Sequence, residues 1–143
     1  MKKLFIILFL SFVGLAFGRY NIDTVISDTL NATTTLTDST DIQAFEKICF
    51  RISYDETEVG NSVSAAIIFE LGTDDDWTDF NILLGSDGTD APQANVSFSA
   101  DGEKVVYLPY GVSGDQLRIT ATGTNTDADD IAVIVVKRIG WRQ

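Results

Sequence analysis

The chain has 143 residues and carries 10 Lys and Arg against 21 Asp and Glu, so its net charge is −11. This acidity argues against a nucleic-acid partner, because a phosphate backbone must be met by Lys and Arg. The sequence contains no histidine, which removes the usual general base and every Ser/His or Cys/His pair of nucleophilic catalysis. It also contains no phosphate loop, dinucleotide fingerprint or zinc-ligand spacing. We therefore predict a protein that is not an enzyme and has no catalytic or cofactor-binding residues.

The first 18 residues, MKKLFIILFLSFVGLAFG, have the pattern of a secretory signal peptide. Two lysines precede an apolar run, and Ala16 and Gly18 supply the small residues that a signal peptidase requires. The run is too short for a membrane-spanning helix, so a cleaved signal is favoured over a retained anchor. We expect residues 19–143 to form one exported domain, located in the periplasm, outside the cell or on a virion surface, with no membrane contact. Its 8 Lys and Arg against 21 Asp and Glu give a net charge of −13.

From Arg19 onward, apolar and polar residues alternate with period two, which is typical of β-strands. The segment NIDTVISDTLNATTTLTDSTD alternates weakly and predicts one or two short edge strands. FEKICFRISY is the clearest strand, and its core face consists of Ile48, Phe50, Ile52 and Tyr54. Cys49 lies on the other face and is the only cysteine, so it can form no internal disulfide. We expect a half-buried strand residue there, with pairing between chains as the alternative.

The later strand segments are VSAAIIFEL, TDFNILLG, ANVSFSA, EKVVYLPY, DQLRITATG and IAVIVVKRIGW. Each is bounded by Gly, Asp, Asn or Pro, which favour turns. We predict eight or nine strands and no helix to cover a parallel sheet. The expected fold is therefore all-β, with two antiparallel sheets packed face to face as a jelly-roll or immunoglobulin-like sandwich. The sequence leaves the choice between these connectivities open.

A cluster of carboxylates in GTDDDWTDF raises the question of a metal site. Asp74, Asp75, Asp76 and Asp79 supply the hard oxygen ligands that calcium prefers. The stretch lacks the alternating acids and fixed glycine of recognisable calcium loops. The alternative is a polar hairpin turn, because aspartate bonds its own backbone and tolerates turn conformations. The turn is favoured, and calcium is the only metal that we consider for these residues.

Aromatic residues outside the strand cores could stack on sugar rings of a glycan. The candidates are Trp77, Trp141, Tyr110 and Tyr20. For each of them, the alternative is that the ring covers one edge of the core.

The C-terminal segment KRIGWRQ gathers the only basic patch on an acidic chain. Lys137, Arg138 and Arg142 surround Trp141 in the sequence. Such a patch could dock on the acidic face of a neighbouring subunit, or it could be a solvated strand end.

Two stretches within residues 42–139 resemble a known group: RISYDETEVGNSVSAAIIFELGTDDDWTDF and SADGEKVVYLPYGVSGDQLRITATGTNTDADDIAVIVV. They are similar to small β-sandwich proteins encoded in tailed-phage and environmental viral genomes. The resemblance implies a virion surface or decoration role without catalytic residues. A signal peptide is unexpected in a capsid component, which keeps a bacterial surface or secreted module as an alternative.

The leading hypothesis from the sequence is an exported structural or interaction module that binds a protein partner or itself. The alternatives are a secreted carbohydrate-binding module and a calcium-stabilised adhesin-like domain.

Overall fold

The computed structural model describes residues 20–31, 34–43, 45–56, 64–73, 76–84, 92–109, 112, 115–124 and 131–141. Within these ranges the chain forms eleven β-strands and no helix. The strands are β1 (Tyr20–Asn31), β2 (Thr35–Asp41), β3 (Lys47–Glu56), β4 (Ser64–Thr73), β5 (Asp76–Phe80), β6 (Ile82–Leu84), β7 (Pro92–Gln93), β8 (Asn95–Phe98), β9 (Gly102–Tyr107), β10 (Gln116–Thr124) and β11 (Ile131–Trp141). The expected signal peptide, residues 1–18, lies outside the described residues.

The strands form two antiparallel sheets. The six-stranded sheet has the order β1-β11-β3-β9-β6-β7, and the five-stranded sheet has the order β2-β10-β4-β5 with β8 also paired to β4. This arrangement confirms the predicted all-β fold with two antiparallel sheets, but the described residues form eleven strands where eight or nine were predicted. In the described part of the chain, no helix is long and apolar enough to cross a bilayer.

The core lies between the two sheets, because each strand turns every second side chain inward. The predicted inner face of β3 is confirmed, since Ile48, Phe50, Ile52 and Tyr54 are all buried. Two aromatic contacts join β3 to the opposite sheet. The ring of Phe50 lies 5.6 Å from that of Phe69, and the rings of Tyr54 and Phe98 stack at 5.3 Å.

The N-terminal Thr-rich region forms longer strands than its weak alternation predicts. β1 has 12 residues and β2 has 7, and each is the edge strand of its sheet. The edge position agrees with the prediction, and it explains the weak alternation, because an edge strand exposes polar side chains on both faces. A register shift between Thr24 and Ile26 marks a β-bulge in β1.

The predicted single strand TDFNILLG divides between the two sheets. β5 ends at Phe80 and pairs with β4, whereas β6 begins at Ile82 and pairs with β9. Only Asn81 separates them. The inner faces of both sheets require the same period-two pattern, so the pattern cannot indicate where the chain changes sheet.

Candidate interaction surfaces

We call the outward side of the six-stranded sheet the front face. An apolar row crosses it, formed by directly paired residues of five strands. Ile22 pairs with Ile139, Ile139 with Cys49, Cys49 with Tyr107, and Tyr107 with Leu83. The outward side of a sandwich sheet is usually polar. A continuous apolar row there indicates a surface that another molecule covers.

The apolar row is most exposed at the β1 edge. Ile22 is 55% exposed, and beside it the aromatic pair of Tyr20 and Trp141 is 66% and 39% exposed. Large apolar and aromatic side chains with this exposure are the residue types that contribute most at protein interfaces. Of the aromatic residues singled out from the sequence, Tyr20 and Trp141 therefore belong to one surface, whereas Tyr110 lies outside the described residues.

Cations flank the apolar row on the front face. Lys47 pairs with Trp141 in the outward row on one side of the apolar row, and Arg51 pairs with Lys137 in the outward row on its other side. All three cations are exposed. An ion pair of 2.6 Å links Arg51 to Glu103, and Asp55 is the other outward carboxylate described on this face. Among the described residues, the front face therefore carries three cations and two carboxylates, although the chain as a whole is strongly acidic.

Cys49 is more deeply buried than its outward position predicts, with 4% of its surface exposed. It is a free thiol. Its cross-strand neighbours on the front face are Ile139 and Tyr107, which are themselves only partly exposed. Burial raises the pKa of the Cys49 thiol above its usual value, so the reactive thiolate form is disfavoured.

Arg138 lies in the interior, in contrast to the predicted basic patch. Adjacent residues of a strand point to opposite faces, so Lys137 is exposed on the front face while Arg138 is 6% exposed inside the sandwich. Its guanidinium donates to Thr40 Oγ1 at 2.6 Å and to the Asp41 carbonyl oxygen at 2.7 Å. Arg138 is thus engaged within the fold and is not available to a partner, and Arg142 lies outside the described residues.

The remaining contacts of Arg138 complete a structural cluster at one end of the sandwich. It also donates to Asn21 Oδ1 at 3.0 Å and to Asp23 Oδ2 at 3.2 Å, and its guanidinium carbon lies 4.6 Å from the ring centre of Phe45. The Phe45 ring occupies the space that a side chain at Gly140 would need. The cluster joins β1, β11 and β2, which belong to both sheets.

We call the outward side of the five-stranded sheet the back face. Trp77 lies on it, because it pairs with Gly72 next to the outward pair of Glu70 and Asp79. Arg118 donates to both Glu70 carboxylate oxygens, at 2.7 and 2.6 Å, and stacks 4.6 Å from the Trp77 ring centre. These hydrogen bonds lower the pKa of the Glu70 carboxyl. The cluster fixes the orientation of Trp77 and covers one side of its ring.

The back face has the opposite charge balance to the front face. Its outward carboxylates among the described residues are Asp41, Glu70 and Asp79, and its outward cation is Arg118. Near its centre, Ile68 is 37% exposed. In the part of the chain that the structure describes, the two sides of the sandwich therefore differ in sign: cations predominate on the front face and carboxylates on the back face.

The proposed calcium ligands are only partly described. Asp76 and Asp79 are both exposed in β5, and residues three apart on a strand point to opposite sides. The structure therefore does not bring these two carboxylates together, and Asp74 and Asp75 lie outside the described residues. Across the described ranges, there is no group of three or more Cys, Asp or Glu side chains arranged to hold a metal ion.

Sequence reasoning missed the contribution of Lys47 and Arg51 to the basic surface. Their alternation on β3 places them outward, but the register that sets them beside Trp141 and Lys137 joins residues about 90 positions apart in the chain. The sequence shows each apolar residue that the other four strands contribute to the row, but it does not show that these residues are neighbours. Only the pairing of the strands joins them into a row.

Comparison with known proteins gives a structural likeness without a family assignment. No known family profile matches the chain, and no curated protein matches it in sequence. The structure is similar to the SPBc2 prophage-derived protein YomS, with a TM-score of 0.59, 12% identity, and coverage of 88% of this chain and 96% of that chain. This likeness supports the β-sandwich fold and nothing beyond the fold.

Two further solved structures align over most of the chain at lower similarity. One is the CBM36-1 domain of a multidomain xylanase from the hindgut metagenome of Trinervitermes trinervoides, with a TM-score of 0.44, 9% identity, and coverage of 85% of this chain and 97% of that one. The other is a protein of the Bacillus endospore appendages, which form disulfide-linked pili, with a TM-score of 0.40, 16% identity, and coverage of 89% and 91%.

Proposed function

We propose that this chain is an exported, non-enzymatic β-sandwich that attaches to a cell or virion surface as a decoration or assembly module. The observation that carries the proposal is the apolar row of the front face, from Ile22 to Leu83. At the β1 end of the row, Ile22, Tyr20 and Trp141 are exposed, and clustered apolar area of this kind is costly in water and is retained where another surface covers it. The resemblance of the sequence to phage-encoded sandwiches supports a virion or surface role, and YomS, which is similar in fold, is itself prophage-derived.

We also infer that the connectivity is that of a jelly roll. Four strands in the order β1-β11-β3-β9 lie opposite four in the order β2-β10-β4-β8. Successive main strands alternate between the sheets except β4 and β8, which pair with each other in one sheet. This alternation belongs to paired Greek keys. β5, β6 and β7 are then an insertion between β4 and β8.

The surface proposal is tested by locating the protein in fractions of a producing culture and of any phage particles it releases. We expect the mature chain in the cell-surface or virion fraction, and we expect Ile22→Lys to shift it into the soluble medium. Ser99→Lys adds the same charge at an exposed bend outside both sheets, so it should leave attachment unchanged. A wild-type chain found entirely free in the medium would overturn the proposal.

A second candidate is a carbohydrate-binding module, and the oriented Trp77 on the back face favours it. The Arg118 guanidinium holds the ring in a fixed orientation on the outward side of the sheet, and an oriented aromatic ring is a platform on which a sugar would stack. Glycan binding would change tryptophan fluorescence, and Trp77→Ala would abolish that change while Trp141→Ala would keep it. A broad glycan array without a hit for the folded protein would remove this candidate.

Calcium stabilisation of the acidic hairpin at Asp74, Asp75, Asp76 and Asp79 is the alternative that we rank below both. A bound ion would raise the melting temperature by mass action. We favour the polar turn, because Asp76 and Asp79 point to opposite sides of β5.

A further inference from the structure

The two outward faces of the sandwich are complementary to each other. The front face combines an apolar row with flanking cations, of which Lys137 and Arg51 lie in the adjacent row. The back face combines exposed Ile68 with an excess of carboxylates, including Asp79. We propose that copies of this chain associate front to back, with the front face of one copy covered by the back face of the next. This inference rests on the proposed function, and it names a second copy of the chain as the partner that covers the front face.

Charge decides between this arrangement and a symmetric front-to-front pair. A two-fold axis through the apolar row would bring Lys47 and Lys137 of one copy close to the cations of another, whereas Arg51 is already paired with Glu103. Like charges across an interface are repulsive and disfavour that pairing. A front-to-back contact instead places these cations against carboxylates, and on a chain of net charge −11 such local complementarity is needed for copies to approach.

The area available is sufficient for a stable contact. Four strands of the front face, from β1 to β9, are adjacent in the sheet; at ordinary rise β1, β11 and β3 each extend about 35 Å and the six-residue β9 about 20 Å. At ordinary strand spacing their footprint is about 600 Å² per partner, at the lower end of the range for a specific protein interface. After one front-to-back contact, each of the two copies still has one unused face that can bind a further copy. Such contacts therefore generate an open stack or a closed ring rather than a dimer.

Two variants block one face each without touching the core. Ile22→Glu with Lys137→Glu changes exposed residues of the front face, and Ile68→Lys with Asp79→Lys changes exposed residues of the back face. Ser99→Lys is the control. Circular dichroism and the melting temperature establish that each variant folds.

The test is analytical ultracentrifugation of the purified mature chain and of an equimolar mixture of the two variants. We expect the wild type and Ser99→Lys to form species larger than a dimer, and each blocked variant to sediment as a monomer. The mixture should form dimers and nothing larger, because each variant keeps the face that the other lacks. Association of the mixture should be at least about tenfold tighter than that of either variant alone, or about 1.4 kcal/mol.

Other outcomes overturn the proposal in distinguishable ways. If the back-blocked variant still dimerises, the contact is front to front. If the wild type remains monomeric up to roughly 100 µM, while Ile22→Lys still loses attachment to the cell or virion surface, then stacking is wrong and the proposed surface function stands. If the wild type is monomeric and Ile22→Lys attaches normally, both proposals fail.

Discussion

Arg138 on β11 donates a hydrogen bond of 2.6 Å to Thr40 Oγ1 on β2, across the interior of the sandwich. Both residues are buried, so the bond joins the six-stranded sheet to the five-stranded sheet where little water competes for it. The carboxylate of Asp23 is 60% exposed, so its ion pair with Arg138 adds little. The neutral oxygens of Thr40 and of the Asp41 backbone are therefore the partners that matter most for stability.

Arg138→Met should destabilise the fold by about 3 kcal/mol, because it leaves buried acceptors without a donor and removes the cation from the Phe45 ring. Lys137→Met, one residue earlier and exposed, is the matched control and should change stability by less than about 0.5 kcal/mol. Urea denaturation of both variants measures the difference. Equal stabilities would show that the Arg138 cluster contributes nothing to holding the sheets together.

Gly72 is required by the close approach of β4 and β5. A Cβ atom at this position would overlap the backbone carbonyl oxygen of Asp76, and backbone cannot move aside as a flexible side chain can. Gly72→Ala should therefore cost about 2 kcal/mol. At Gly102 the nearest atom, the Ala100 carbonyl oxygen, lies 4.0 Å from such a Cβ, so Gly102→Ala should be close to neutral. A thermal melt of the two variants that gave the same loss would contradict this account of the hairpin.

Tyr54 makes the stability of the fold sensitive to alkaline pH. Burial, reinforced by the nearby Glu56 carboxylate, raises the pKa of Tyr54 from 10.0 to about 12. The folded state therefore retains a proton that the unfolded state releases, so the contribution of Tyr54 to stability is fully present below pH 10 and is lost as the pH rises from 10 to about 12. The free energy of unfolding, measured across this range, should fall less steeply in Tyr54→Phe. Tyr20→Phe, at an exposed position, should follow the wild type.

Calcium should leave the melting temperature unchanged. Since Asp76 and Asp79 point to opposite sides of β5, we expect the acidic hairpin to behave as a turn. Calorimetry in chelator and in excess calcium measures this directly. A rise with calcium that disappears in Asp79→Asn would instead establish a metal site at the hairpin.

The period-two pattern was sufficient to predict the sheets and much of the core. The buried face of β3 follows from alternation alone, because Phe50 and Tyr54 lie an even number of residues apart and therefore point to the same side of the strand. The same rule could have separated Lys137 from Arg138, since neighbours on a strand cannot share a face. Treating the C-terminal segment as one basic patch overlooked this alternation.

The surfaces could be predicted only in part, because they depend on which strands are neighbours. Tyr20 and Trp141 are paired although almost the whole described chain separates them. Cys49 is buried and has Ile139 and Tyr107 as its cross-strand neighbours, neither of which is close to it in sequence. Register over such separations is set by the packing of the complete sandwich rather than by any local segment.

The central claim is that the front face is a contact surface, and hydroxyl-radical footprinting of the assembled chain tests it most directly. Oxidation of Tyr20, Ile22 and Trp141 would be compared between protein on its native cell or virion surface and the same protein released as a monomer. We predict that assembly protects all three side chains at least about fivefold, in keeping with their removal from solvent at an interface. Equal oxidation of these residues in the two states, with protection confined to other parts of the molecule, would contradict the claim.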